Sequence, residues 1–490
     1  MGRFLLALDQ GTTSSRAILF DRSGHPCAMS QKELTQHYPE PGWVEHDPEE
    51  IWQTQLAAAR QAMQIADATA ADIAAIGITN QRETTLLWDR RTGKAIQPAI
   101  VWQDRRTAER CTELANLHCG ERIARITGLL PDSYFSATKL EWLLKNVPNA
   151  RSLAEQGHLA FGTVDSFLLW RLTGGQVHAT DKTNASRTML YDIHQRAWSQ
   201  ELLELFNIPL GILPNVFPSI SDFGFADPDL FGGDIPVLGI AGDQQAALYG
   251  QECTEPGMAK CTYGTGCFLL MHTGEVAQPS SNRLLTTIAA GSEEVPSFAL
   301  EGSVFVGGAA VQWLRDELGI IRHASEIEEL ALTVPDSGGV YVVPAFTGLG
   351  APYWNPHARG AILGLTRGVG RAHIARATLE SIAFQCQDVM EAMQRDYGQP
   401  LTELRVDGGA SANDFLIQFQ ADISGVPVRR PQCLETTALG AAMLAGRQSG
   451  FWRDAESAWK LSAEFIPQMQ TSQREKLLAG WKDAVNRVNG

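Results

Sequence analysis

Residues 5 to 21, LLALDQGTTSSRAILFD, set a carboxylate, a glycine, four hydroxyls and an arginine between two short apolar runs. That set suits the gripping of phosphate. Gly11 lets backbone N–H groups approach anionic oxygens without a Cβ in the way, Thr12, Thr13, Ser14 and Ser15 add hydroxyl donors, and Arg16 adds a fixed positive charge. Asp9 repels phosphate directly but can anchor a hydrated Mg²⁺ that bridges to it. The plain alternative is a hairpin turn with ordinary Gly/Thr chemistry and a solvated aspartate.

A second carboxylate, Asp243 in GIAGDQQAALYG (239 to 250), stands where an apolar strand run ends and a helical run begins. A helix N-terminus favours its anion, and such a group can take the proton of an attacking hydroxyl; the competing assignment is an N-cap. In GITNQRETTLLWD (77 to 89) Arg82 and Glu83 follow Asn80 and Gln81 between two strand-like runs. Side by side, a donor and an acceptor can grip two vicinal hydroxyls of a small neutral polyol, or simply form a solvated ion pair. Trp102 in IVWQDRR and Tyr134 in PDSYFSATK offer an apolar wall and a hydroxyl, or plain core. In the second half, RVDGGASANDFLIQFQAD (405 to 422) reads as strand, Gly408-Gly409 turn and helix, with Asn413 on the first helical turn able to bond a ribose or base edge. VGGAAVQWL (306 to 314) supplies another glycine pair with Gln312.

The elements that must position these residues alternate. Strand-like runs at 5 to 8, 17 to 20, 74 to 79 and 84 to 89 are interleaved with helix-like runs at 48 to 66, 137 to 146, 300 to 318 and 373 to 398, which indicates α/β layers. Asp47 and Pro48 suit the start of the first helix and Gly398 the end of the last. AKCTYGTGCFLLMH (259 to 272) again sets a Gly-Thr-Gly turn between two strand-like segments, an echo of residues 5 to 20. One copy per half predicts two similarly built domains, 1 to 250 and 251 to 490, closing on one nucleotide, with the break at GQECTEPG.

At 490 residues two or more domains are expected. No apolar run approaches membrane-spanning length, and the run near the N-terminus stops at Asp9 without a small-residue cleavage site. A formal charge of −15 argues against a nucleic-acid surface. Eight scattered cysteines without a C-x-x-C pair read as reduced thiols, and so as a cytoplasmic protein. There is no G-x-x-x-x-G-K-[ST] loop and no strand-borne G-x-G-x-x-G; Asp222-Phe223-Gly224 lacks the companion motifs of a protein kinase.

DQGTTSSRA, NQRET, WQDRR, GDQQAAL, YGTG and VDGGASAN together resemble the carbohydrate kinase family that includes glycerol, xylulose and gluconate kinases, and NQRET points to glycerol as acceptor. The resemblance implies two ribonuclease-H-like domains of the actin and hexokinase type flanking a cleft that holds ATP, with Mg²⁺ held through water by Asp9 and Asp243. It implies a glycerol site of Arg82, Glu83, Trp102, Tyr134, Asp243, Gln244 and Phe268, with Asp243 as catalytic base. It places the nucleotide against Thr12, Thr13, Ser14, Arg16, Thr265, Gly308, Gln312, Gly409 and Asn413. Assembly as a homodimer or homotetramer is expected by the same likeness. The alternatives are a kinase for another polyol or a ketose, and an actin- or Hsp70-like ATPase with no small-molecule acceptor. Enterobacterial members bind fructose 1,6-bisphosphate through a Gly-Gly-Thr-Arg loop; this chain reads Gly232-Gly233-Asp234-Ile235 there, an acid in place of the base, so weak or absent inhibition is expected.

Overall fold

The apolar run at the N-terminus forms the strand Phe4–Gln10, and its residues are buried on both faces. Leu6 and Leu8 pack with Ile76, Ile78, Ile240 and the helix Pro48–Ile65 on one side. Leu5 and Ala7 pack with Ile18, Phe20, Leu439 and Met443 on the other. A strand covered on both faces needs an unbroken apolar run, which is what LLAL supplies. The computed structural model describes residues 2–117, 119–292, 296–355, 357–453 and 457–490.

Phe4–Gln10, Ser14–Phe20 and Pro26–Glu33 form an antiparallel meander, and Phe4–Gln10 then pairs in parallel with Ile73–Asn80, which pairs in parallel with Ile235–Gly242. The second half repeats this plan. Met258–Tyr263, Cys267–Gly274 and Phe298–Val304 form the meander, and Met258–Tyr263 pairs in parallel with Glu403–Asp407, which pairs in parallel with Val428–Pro431. The two Gly-Thr turns occupy the same place in the two sheets, the connection between the first and second meander strands. Their likeness is therefore topological.

The helix from Pro48 begins as expected, with Asp47 accepting from the Glu49 N–H. The last long helix is Arg371–Tyr397, closed by Gly398 at φ 74°. The run 300 to 318, expected as one helix, is instead the strand Phe298–Val304 followed by the helix Gly308–Asp316. Pairing with both neighbouring strands outweighs the weak helical pattern there, and Gly307-Gly308 breaks the run. The strand-like run 84 to 89 shortens to Leu86–Asp89, which leaves the main sheet to pair with Leu159–Gly162.

The helix Thr436–Ser449, late in the chain, lies against the first sheet. Its small residues allow this. A Cβ on Gly440 would overlap the Ala246 carbonyl of the helix Asp243–Gly250, and one on Gly77 would overlap the Ala441 carbonyl, so this helix approaches both that helix and the sheet as closely as glycine permits. Leu439 and Met443 fill the gap with full burial, worth about 1.5–3 kcal/mol each. A helix from late in the chain thus caps the first sheet.

Candidate functional site

The three parallel strands of the first sheet end side by side: Gln10 and Gly242 both pair with Asn80. Each strand end hands a functional group to the same place, the usual position for ligands on open α/β sheets. Asp9 precedes the first turn, Arg82 and Glu83 follow the second strand, and Asp243 opens the helix Asp243–Gly250. Gly242 is required here, since a Cβ would stand 2.7 Å from Cγ and Cδ of Arg82.

Asp243 is part-exposed, and its Oδ1 lies 3.0 Å from Arg82 Nε and accepts from the Gln244 N–H at 2.7 Å. Arg82 is buried. Its Nη1 and Nη2 donate to Glu301 at 2.7 and 2.9 Å, and Nη1 also reaches Gln245 Oε1 at 3.2 Å. Glu83, at φ 63°, is a non-glycine residue in the left-handed region, a conformation that persists only where surroundings impose it. Arg187 imposes it in part, donating from Nε to Glu83 Oε1 at 2.7 Å and from Nη2 to Glu301 at 3.1 Å. Burial raises the carboxyl of Glu83, with Arg82 and Arg187 opposing. Burial also acts on Glu301, but the two guanidinium groups outweigh it and hold that carboxyl at about 2.

Asp9 has its carboxyl pushed up to about 6, first by burial and then by the charges of Glu435 and Asp243, against the pull of Arg16. Arg16, expected as a phosphate donor, forms a close ion pair with Glu435 beside it. Thr12 accepts from Trp102 Nε1 at 2.9 Å, and the Trp102 ring meets Tyr134 edge-on at 5.5 Å, so hairpin and aromatic wall are one assembly. Thr13 is exposed at the turn tip and Ser14 nearly buried; Ser15 points away and bonds Thr54 at 2.8 Å. The hairpin therefore offers three hydroxyls rather than four.

In the second half, the Gly264-Thr265-Gly266 turn is pinned to the start of the helix Gly308–Asp316. Gly308 N donates to Gly264 at 2.8 Å, and Gly307 N and Ala309 N donate to Thr265. Gly408 is at φ 83°, and a Cβ on it would stand 2.6 Å from the Tyr263 carbonyl oxygen, so the Gly408-Gly409 turn crosses closely over the end of the strand that leads into the Gly264-Thr265-Gly266 turn. Thr265 and Gly308 are thus neighbours, with Gln312 exposed on the helix that Gly308 opens, while Gly409 faces open space. Asn413 is the N-cap of the helix Asp414–Ser424; its side-chain Oδ1 accepts from Leu416 N at 2.8 Å, which leaves the amide N–H₂ for a ligand. Phe268 shares a sheet face with Lys260, Thr262, Glu301 and Ser303. Buried Lys260 donates to Gln244 and to Thr262, so Gln244 is fixed from the second sheet.

Sequence reasoning missed Arg187, Glu301 and Lys260. Glu301 lay hidden in the run taken as helical, and no local pattern marks the other two. Cys386 joins Cys261 and Cys267, all three sulfurs lying within 4.8 Å of one another. Burial raises the thiols of Cys261 and Cys386, and the hydrogen bond from Cys261 does most to raise Cys267. A cavity of about 620 Å³ bounded by Tyr249, His272 and Arg447 contains none of the site residues.

Residues 4–250 match the N-terminal domain, and residues 259–449 the C-terminal domain, of the FGGY family of carbohydrate kinases. The chain is 59% identical over 490 residues to a glycerol kinase of Symbiobacterium thermophilum, covering 99% of this chain and 98% of that one. The crystal structure of Plasmodium falciparum glycerol kinase with ADP superposes with a TM-score of 0.94 at 37% identity, covering 99% and 98%. A ligand-bound xylulose kinase from Lactobacillus acidophilus shares the fold, with a TM-score of 0.88 at 21% identity and the same coverage.

Proposed function

Because the chain belongs to the FGGY family of carbohydrate kinases, we propose that it transfers the terminal phosphoryl group of ATP to glycerol, giving sn-glycerol 3-phosphate and ADP. The observation that carries the reading is the meeting of Arg82, Glu83 and Asp243 at the strand ends of a chain matched end to end by glycerol kinases. Arg82 and Glu83 grip the polyol hydroxyls, Trp102, Tyr134 and Phe268 wall its carbon chain, and Gln244 adds an amide. Asp243 is the general base. Its Oδ1 is occupied by Arg82 and the Gln244 N–H, so the other oxygen is the one offered to the substrate hydroxyl. Thr12, Thr13, Ser14 and the backbone of both glycine turns receive the phosphates, with Gly308, Gln312, Gly409 and Asn413 on the adenosine side. Arg16 joins them when it exchanges Glu435 for phosphate.

Asp9 and Asp243 suit a hard cation that prefers oxygen ligands: two carboxylates close enough for one charge to raise the other's proton affinity gain from a divalent ion between them. We assign Mg²⁺ to this pair, held through water; when bound it neutralises charge on the nucleotide phosphates. The two halves, 1 to 250 and 251 to 490, act as the jaws of one enzyme that excludes water from the transfer. A cytoplasmic homodimer or homotetramer is the form we assign to it. No helix among the described residues is long and apolar enough to cross a membrane.

Phosphorus NMR of a reaction with ATP and glycerol tests the reading. A new phosphomonoester resonance coupled to one CH₂ group supports it, and inorganic phosphate with ADP as the only new products contradicts it.

A further inference from the structure

Arg82 and Glu83 are half of a buried lattice whose other half is Arg187 and Glu301. Glu301 receives Arg82 in a two-pronged grip at 2.7 and 2.9 Å and Arg187 at 3.1 Å, while Arg187 holds Glu83 at 2.7 Å. All four side chains are 2% exposed or less. We propose that Arg187 and Glu301 are positioning and specificity residues of the acceptor site: they fix the polyol grip and balance its charge, so that neutral polyols are admitted and ionised analogues refused. The inference rests on the acceptor-site reading above.

Donor accounting supports the positioning role. Glu301 takes one N–H from each terminal nitrogen of Arg82, and Asp243 lies at hydrogen-bond distance from its Nε. A guanidinium held by a two-pronged carboxylate has its plane and remaining N–H directions set, which a lone ion pair does not achieve. Arg187 in turn lies 5.3 and 5.7 Å from the ring centres of Phe135 and Tyr134, so the aromatic wall and the lattice brace each other. Glu301 comes from a strand of the second sheet, 219 residues from Arg82. The acceptor grip of the first half is therefore complete only with the second half in place.

Charge supplies the specificity argument. Arg82, Arg187 and the buried Lys260 face Glu83, Glu301 and Asp243, three cations against three carboxylates, so the cluster carries no net charge. Buried away from screening water, it gives neither an anion nor a cation a net attraction to offset its lost hydration. A glycerol analogue with one terminal carbon oxidised to carboxylate, or one hydroxyl replaced by an ammonium group, meets the same sterics without that compensation.

The test uses the whole enzyme with glycerol, glycerate and 3-amino-1,2-propanediol. Wild-type turnover of glycerol with little inhibition by either ion is expected; strong inhibition by one ion overturns charge balance, whereas absent glycerol turnover contradicts the kinase reading itself. Glu301→Gln leaves the three cations, Arg82, Arg187 and Lys260, facing two carboxylates, Glu83 and Asp243. It is expected to raise the KM for glycerol about tenfold or more, the scale of one charge-assisted bond, to leave the KM for ATP within about twofold, and to make glycerate a competitive inhibitor. Adding Arg187→Met restores balance and abolishes glycerate inhibition while the glycerol KM stays high. Should Glu301→Gln fail to fold, Arg187→Lys, which keeps the charge and loses the fork, raises the glycerol KM with glycerate still inert. A variant that melts earlier but keeps wild-type KM and discrimination shows a merely structural lattice and overturns the proposal.

Discussion

Asp243 is held on one carboxylate oxygen by Arg82 and the Gln244 N–H, so Asp243→Asn preserves the shape of the site and removes only the proton acceptor. Its kcat is expected to fall by roughly 10²–10⁴, the range for a general base, with an unchanged circular dichroism spectrum. Asp9 makes a different prediction, about pH. Its carboxyl is raised from 3.8 to about 6, so the folded state binds the proton more tightly than the unfolded chain does. That contribution to stability is fully present below pH 3.8 and is lost as pH rises through 6, on the order of 3 kcal/mol in all. Asp9→Asn is thus expected to melt higher than wild type at pH 7.5 without divalent cations, the difference vanishing by pH 4. Melting curves at the two pH values check it. At this scale Asp9, Asp243 and the Arg82-Glu83 pair were legible because each sits at the end of an apolar run beside a turn residue. Arg187 and Glu301 were not, because their meaning lies in contacts 104 and 219 residues away in the chain.

Elements position these groups through close backbone approach, and the helix Thr436–Ser449 is the plainest case. Gly440 touches the Ala246 carbonyl so closely that Gly440→Ala must part this helix from Asp243–Gly250. We expect a loss of about 1–3 kcal/mol, read as a lower melting temperature, with a reduced kcat because the helix carrying Asp243 shifts. The loop Gly232–Ile235 gives a second outcome. Asp234 and Asp227 border a surface hollow whose lining has no lysine or arginine, so a sugar bisphosphate finds repulsion there. Fructose 1,6-bisphosphate is expected to leave the steady-state rate unchanged at concentrations that saturate a genuine site. Strands at 5 to 8, 17 to 20 and 74 to 79 were legible because a doubly covered strand is a solid apolar run. The run 300 to 318 misled because a strand that leads into a glycine-broken helix has no single period, and sheet partners far away in sequence decide it.

The whole molecule repeats one sheet plan twice, and the two Gly-Thr turns are equivalent points of that plan. The sequence announced this through one short echo; it did not announce that the second half returns to cover the first, since a stripe of alanines and glycines reads as an ordinary helix. All eight cysteines are free, six buried, one intermediate and Cys27 exposed. A thiol reagent should titrate Cys27 quickly and Cys433 more slowly in the native enzyme and the six buried thiols only on unfolding, and melting should not depend on added reductant. The central claim is that the strand ends of both halves form one site where glycerol, and not water or a ketose, receives phosphate. ADP release by the purified enzyme, measured with saturating glycerol, with xylulose and with no acceptor, tests it most directly. Turnover that requires glycerol, with xylulose and blank both near background, is the predicted result; comparable ADP release without glycerol, or faster release with xylulose, contradicts it.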